Sequence, residues 1–306
     1  FEATRTDAEP HVEALQVASV HAHHACRLDP DLAEAWATLG FILERTGERD
    51  DALSALTGSV ALEPDNWLHL VRLAAASWGQ RRIDAARRAL AECPQLPVAH
   101  WLAASVYVAR GTLDKAGHEV HAGLEMIAAE ARGSARFSTV AFHWMAGLLC
   151  LAREAPDDAV AAFDRELALE ARGHLYAREC AANTWYAKGA CLLRLGHRDA
   201  ARAAFGEAIS RVPLHPMAHA GLAIANHTTD TVLTGAPLSV DHAFAGAALL
   251  VGRGDARAAA GLIEAALATA PPGSAGWLLP IEPLIHVGHA PEAWRPALAA
   301  LHLRAR

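Results

Sequence analysis

An all-α solenoid, an array of helix–turn–helix units stacked side by side, is the fold class that this 306-residue sequence predicts. Three observations predict it. Small and large apolar residues recur with a period of about 34 residues, the mark of an array whose units bury their faces against one another. Proline stands where each period ends and cannot extend the helix before it. No convincing stretch alternates as a half-buried strand does, which excludes nucleotide-binding α/β folds, and neither a phosphate-binding glycine loop nor a dinucleotide fingerprint is present.

The elements follow in order. "HVEALQVASVHAHHACRLDP" carries Ala18, Ala22 and Ala25 at the small positions of a second helix, without a first helix before it. The native protein is therefore expected to continue upstream of Phe1, which is not a methionine and opens no signal peptide. From Ala33 come Trp36, Leu39, Gly40, Leu43, Gly47, Ala52, Leu56, Ser59 and Pro64. From Ala182 the same phase returns as Trp185, Gly189, Leu192, Gly196, Ala201, Phe205, Ala208 and Pro213. From Val240 it returns as Gly246, Ala247, Leu250, Gly254, Ala259, Ile263, Ala266 and Pro271. Weaker copies start at Trp67, Val98, Val140 and Ser274.

"EARGSARFST" reads as a loop, and "EARGHLYAREC" as a backward extension of the next helix to about Leu175. "PMAHAGLAIANH" begins a unit, but "TTDTVLTGAPLS" replaces its second helix, so a loop interrupts the array at 228–239. The expected organisation is a main array over 1–227 of about six units, the interrupting loop, and C-terminal units with a capping helix over 240–306. Pro280 and Pro283 make the first helix of the last unit short, kinked or partly 3₁₀.

The spacing W-x2-L-G-x2-Y followed by A-x3-F and a closing proline resembles the tetratricopeptide repeat, in three good copies over most of residues 11–303. The resemblance implies a right-handed superhelix with a concave groove lined by first helices. Carried onto this chain, it assigns Phe41, Arg45, Arg72, Trp78, Arg110, Trp144, Leu148, Asn183, Tyr186, Arg194 and Phe244 to that groove; Glu179, one turn before Asn183, joins them. The lining is apolar and aromatic with arginine along one edge, and suits an apolar peptide or amphipathic helix. It departs from the chaperone-binding members, which clamp a terminal carboxylate with Lys and Asn, because Lys115 and Lys188 are the only lysines here.

Composition narrows the partner. A net charge of −7 disfavours nucleic acid, and no apolar run is long enough to span a membrane. Five scattered cysteines without a C-x-x-C pair read as small core residues of a reducing, cytoplasmic compartment. The alanine and arginine richness suggests a bacterial source.

Eighteen histidines invite a metal hypothesis, with His21, His23 and His24 clustered, His118 and His121 three apart, and His215 and His219 four apart. No acidic residue completes a metalloprotease motif, and Pro216 interrupts the last pair, so the expected reading is no metal and no cofactor. There is no nucleophile elbow either, and Cys180 beside Glu179 reads as core. The expected function is a non-enzymatic scaffold for a protein or peptide. The alternative is a sensor or carrier enclosing a small ligand, metal-bearing or not, near 174–189. An enzyme using Glu179, Tyr186 and Cys180 is a third reading.

Overall fold

A computed structural model describes residues 12–130, 141–172, 176–228 and 239–306. Among these residues there are fifteen α-helices and no strand. Six helical hairpins form the array. They are α2 (Ala33–Thr46) with α3 (Arg49–Leu62), α4 (Trp67–Ala76) with α5 (Gln80–Glu92), and α6 (Pro97–Ala109) with α7 (Leu113–Glu130). Then come α8 (Phe142–Ala152) with α9 (Pro156–Leu167), α10 (Ala177–Arg194) with α11 (Arg198–Arg211), and α13 (Val240–Gly252) with α14 (Ala256–Thr269). Helix α1 (Val12–Leu28) packs on α2 as a second helix would, and α12 (Pro216–Ala225) stands between α11 and α13.

The repeat signature is legible as packing. A methyl group added at Gly40 would lie 2.5 Å from Leu56, and one added at Gly189 would lie 2.7 Å from Phe205. In both hairpins a glycine of the first helix thus receives the large residue of the second, and Phe205 is fully buried. Gly47, Gly196 and Gly254 end their helices in the left-handed region, with φ of 87°, 83° and 83°.

Some helix ends depart from local capping. The side chains of Asn66, Ser239 and Asp255 accept N–H bonds from the helices they precede. Helix α8 starts instead at Ala141, which has no such side chain; Glu166 of α9 accepts from the amides of Ala141, His143 and Trp144 at 2.6, 2.9 and 3.2 Å. Burial pushes the Glu166 carboxyl up, against the pull of those three amides.

The expected loop at 130–139 falls almost wholly outside the described residues, as do Leu175 and positions 229–238 of the interrupting loop; the described part of α10 begins at Ala177. After α14 the chain leaves helical geometry. Pro280 and Pro283 hold it in a 3₁₀ turn at Leu279–Ile281, and a second turn follows at Val287–His289. Helix α15 (Pro291–Arg304) then packs on α14 with Trp294 and Leu301 buried. Its end reaches back across the array: Gln80 N–H donates to the Arg306 carbonyl at 3.0 Å, and Arg110 Nε to the Ala305 carbonyl at 2.8 Å.

Candidate partner-binding face

The first helices of successive hairpins touch one another, α2 with α4, α4 with α6 and α8 with α10, so they share one side of the array. The twelve residues expected to line a groove lie on these helices and on α13, or, for Trp78 and Arg110, directly after α4 and α6. The structure divides them into an open end and a covered stretch.

At the open end Phe41 is 44% exposed. The Arg45 and Arg72 guanidinium groups lie 5.4 and 5.9 Å from its ring centroid, within cation–π range. Arg72 also pairs with Glu34 at 3.0 Å, and Glu34 bonds His69 at the same distance. Burial acts to raise the Glu34 carboxyl, but the bonds from His69 and Arg72 outweigh it and hold it below the usual range. Here the expected residues do come together on an accessible surface.

Next along the face, Trp78 lies under the Arg82 guanidinium, 4.7 Å from its ring. Arg82 is buried, and the acceptors of its guanidinium are neutral: the carbonyls of Ala74, Ala75 and Ser77 and the Ser105 Oγ. Burial, aided by the nearby charge of Arg49, brings its pKa down to about 9. Three carbonyls at the end of α4 supply the negative potential that holds the charge there. Sequence reasoning missed Arg82, because an arginine one turn into a second helix carries no signal that it folds back.

The covered stretch differs from the expected open groove. Trp144, Leu148, Glu179, Tyr186 and Phe244 are all buried. What covers much of the stretch is the chain's own non-helical segment, residues 277–285. Trp277 stands edge-on to Trp101 and Trp144, with centroids 5.8 and 6.5 Å away. The Tyr186 hydroxyl donates to Glu282 Oε1, and Leu279, Ile281 and Ile285 are buried within the same core. The physical reason is that this proline-bearing stretch cannot make a helix to hide its apolar side chains, and the aromatic stripe supplies the surface. Glu282 was also missed, since its burial depends on contact with a helix ninety-six residues earlier.

The polar members of the stripe have internal partners. Asn183 Oδ1 meets His215 Nε2 at 3.1 Å, and its amide nitrogen donates to the Glu179 carbonyl. His215 Nδ1 accepts from Ala218 N–H, which assigns the proton to Nε2, and burial brings its pKa down to about 4. Glu179 meets Arg178 at 3.4 Å, Arg194 pairs with Glu154 at 2.8 Å, and Arg110 is held by Ala305 and Gln80. His286 also reaches Glu154 at 2.8 Å, tying the covering segment to the turn after α8.

Burial pushes the Cys180 thiol up, reinforced by Glu166 and Glu179, which is the reverse of an activated nucleophile. Among the described residues no three His, Cys, Asp or Glu side chains gather as a metal site, and His215 and His219 bond apart, His219 to the Pro213 carbonyl. No helix among them is long and apolar enough to cross a membrane.

Comparison with known proteins agrees with this architecture. A family model described as the tetratricopeptide repeat matches residues 38–97 and 186–232. The crystal structure of the APC/C hetero-tetramer Cut9–Hcn1 is similar with a TM-score of 0.61 at 14% identity, over 83% of this chain and 46% of that one. Yeast Tom70 is similar with a TM-score of 0.51 at 14% identity, over 92% of this chain and 59% of that one. The chain thus spans about half the length of these two structures, and at such identities the likeness is one of fold. No protein of curated function matches the sequence significantly.

Proposed function

We propose that the chain, which a tetratricopeptide-repeat model matches over residues 38–97 and 186–232, is a non-enzymatic scaffold that holds a protein or peptide partner along the side formed by its first helices. The observation that carries this reading is the segment 277–285. A non-helical, proline-bearing stretch of polypeptide already lies on that side, anchored by an aromatic residue against Trp101 and Trp144 and by a carboxylate against Tyr186. A face that accepts one such stretch has the chemistry to accept another. At the open end, Phe41 flanked by Arg45 and Arg72 offers the residue types that dominate interface energetics. The fold it shares with Cut9, which is seen assembled with Hcn1, supports the reading as an analogy of architecture. The net charge of −7 favours a protein over a nucleic acid.

Quantitative affinity capture from the native organism tests the proposal, comparing the wild-type chain with a Phe41→Ala/Arg45→Ala double variant of equal helicity. Loss of a stoichiometric partner from the variant is the expected result. Equal recovery of every partner by both proteins overturns the assignment of this side.

A further inference from the structure

The segment 277–285, "WLLPIEPLI", is attached to the array in an unusual way. Its backbone hydrogen bonds are local: Trp277 N–H to the Ser274 carbonyl, Leu279 to Gly276, Ile281 to Leu278, Glu282 to Leu279, and His286 to Glu282. What joins it to the array is side chains, namely Trp277 against Trp101 and Trp144, and Glu282 against Tyr186, with Leu279, Ile281 and Ile285 filling apolar space. A peptide laid on a helical groove is held by spaced side chains of this kind; the segment differs from the repeats in having no helical partner of its own to pair with.

The segment is also an imperfect occupant. Glu282 is buried, and its hydrogen-bond partners are the Tyr186 hydroxyl and the Leu284 amide, neither of them a cation. That is a cost borne by the seated segment, since a buried carboxyl without a countercharge loses solvation without full return. On either side the backbone takes left-handed values, at Gly273 and Gly276 before it and His286 after it, with φ of 138°, 79° and 46°. The segment is therefore bounded by turns and not continuous with a helix.

We propose that Trp277–Ile285 is an intramolecular ligand of the array. The natural partner is a protein with a Trp-x2-Pro-x-acidic-Pro stretch that takes the same turned, 3₁₀-containing form in the same seat. This rests on the scaffold reading above and adds the sequence class of the partner and the self-competition that regulates its access. Trp277 supplies the pattern's aromatic anchor, Pro280 and Pro283 its turned, non-α-helical backbone, and Glu282 its acceptor for Tyr186.

The test uses a fluorescent synthetic peptide corresponding to residues 274–286 and the full chain as wild type, Trp277→Ala and Glu282→Ala, at pH 6. Anisotropy is expected to show the peptide binding both variants roughly tenfold tighter than wild type, the scale of one lost buried contact in the internal copy. Adding Trp144→Ala to either variant is expected to abolish that binding, and a scrambled peptide to show none. Glu282→Ala carries the comparison if Trp277→Ala does not fold. Failure of the peptide to bind folded Glu282→Ala overturns the internal ligand, because the segment is then ordinary core. Wild-type dimers that disappear in Glu282→Ala overturn the partner class in favour of exchange between two copies of this chain. The scaffold reading fails separately: a captured partner that needs Phe41 but binds wild type and Glu282→Ala equally leaves the scaffold standing and removes the internal ligand. Absence of any Phe41-dependent partner removes the scaffold reading whatever the peptide does.

Discussion

The Tyr186 hydroxyl donates a hydrogen bond to the Glu282 carboxylate, joining the fifth hairpin to a turn ninety-six residues further along the chain. Both side chains are buried, at 5% exposure each. Burial raises the Tyr186 phenol well above its usual value, and the neighbouring Glu282 adds to the effect. Burial likewise pushes the Glu282 carboxyl up to about 7, while the bonds from Tyr186 and Leu284 pull the other way. The pair is therefore a proton-sensitive fastening between the array and the segment that covers it.

Stability should follow. The folded carboxyl titrates at about 7 and the ordinary value is 4.5, so the native state holds the extra proton between those limits. Glu282 thus contributes stability that is complete below pH 4.5 and lost as pH rises through 7, about 3 kcal/mol over the window. His215, whose pKa is down at about 4, works in the opposite sense and loses stability as pH falls below 6.5. The informative quantity is accordingly the difference between wild type and Glu282→Gln in urea melts. It should shift towards the variant from pH 5 to pH 8; a pH-independent difference refutes the assignment.

Glu166 caps α8 from outside that helix. Replacing it by alanine leaves the amides of Ala141, His143 and Trp144 without their acceptor. A loss of about 2–3 kcal/mol is expected in chemical denaturation, more than an ordinary exposed cap provides. A change below 0.5 kcal/mol would show that those amides are satisfied in another way.

Two glycines offer a matched pair. A methyl group at Gly189 would meet Phe205 at 2.7 Å, whereas one at Gly206, in the facing helix, has nothing within 4 Å. Gly189→Ala should destabilise by about 1–3 kcal/mol through overpacking. Gly206→Ala should stabilise by up to about 1 kcal/mol through helix propensity. Thermal melts of the two single variants check both signs.

Phe41 is the accessible aromatic of the stripe, so its effect should fall on binding and not on folding. Phe41→Ala is expected to leave stability within about 0.5 kcal/mol, as at an exposed site. It should weaken capture of the partner by roughly tenfold or more if the side chain is an interface anchor. Measured binding unchanged beside an unchanged melt would remove Phe41 from the site.

Much of the fold was legible before any coordinates, and for a physical reason. Repeat packing is local. Gly40 meets Leu56 and Gly189 meets Phe205 at a separation of sixteen residues, so each hairpin writes its own contact into its own spacing. The sites were less legible because burial there is set by a distant segment. Tyr186 and Trp144 carry the same residue types whether a groove is open or filled, and only Glu282 and Trp277 reveal which.

The sequence by itself therefore determined the helical hairpins, the recurring small and large positions along them and the stripe of aromatic residues, all of which depend on neighbours within one or two units. Only the tertiary structure decided that Phe41, Arg45 and Arg72 stay accessible while Trp144, Leu148, Tyr186 and Phe244 do not. Proline denies residues 277–285 an α-helix, and their apolar side chains reach shelter across 176 residues of chain, from Trp101 to Trp277, a separation no periodicity records.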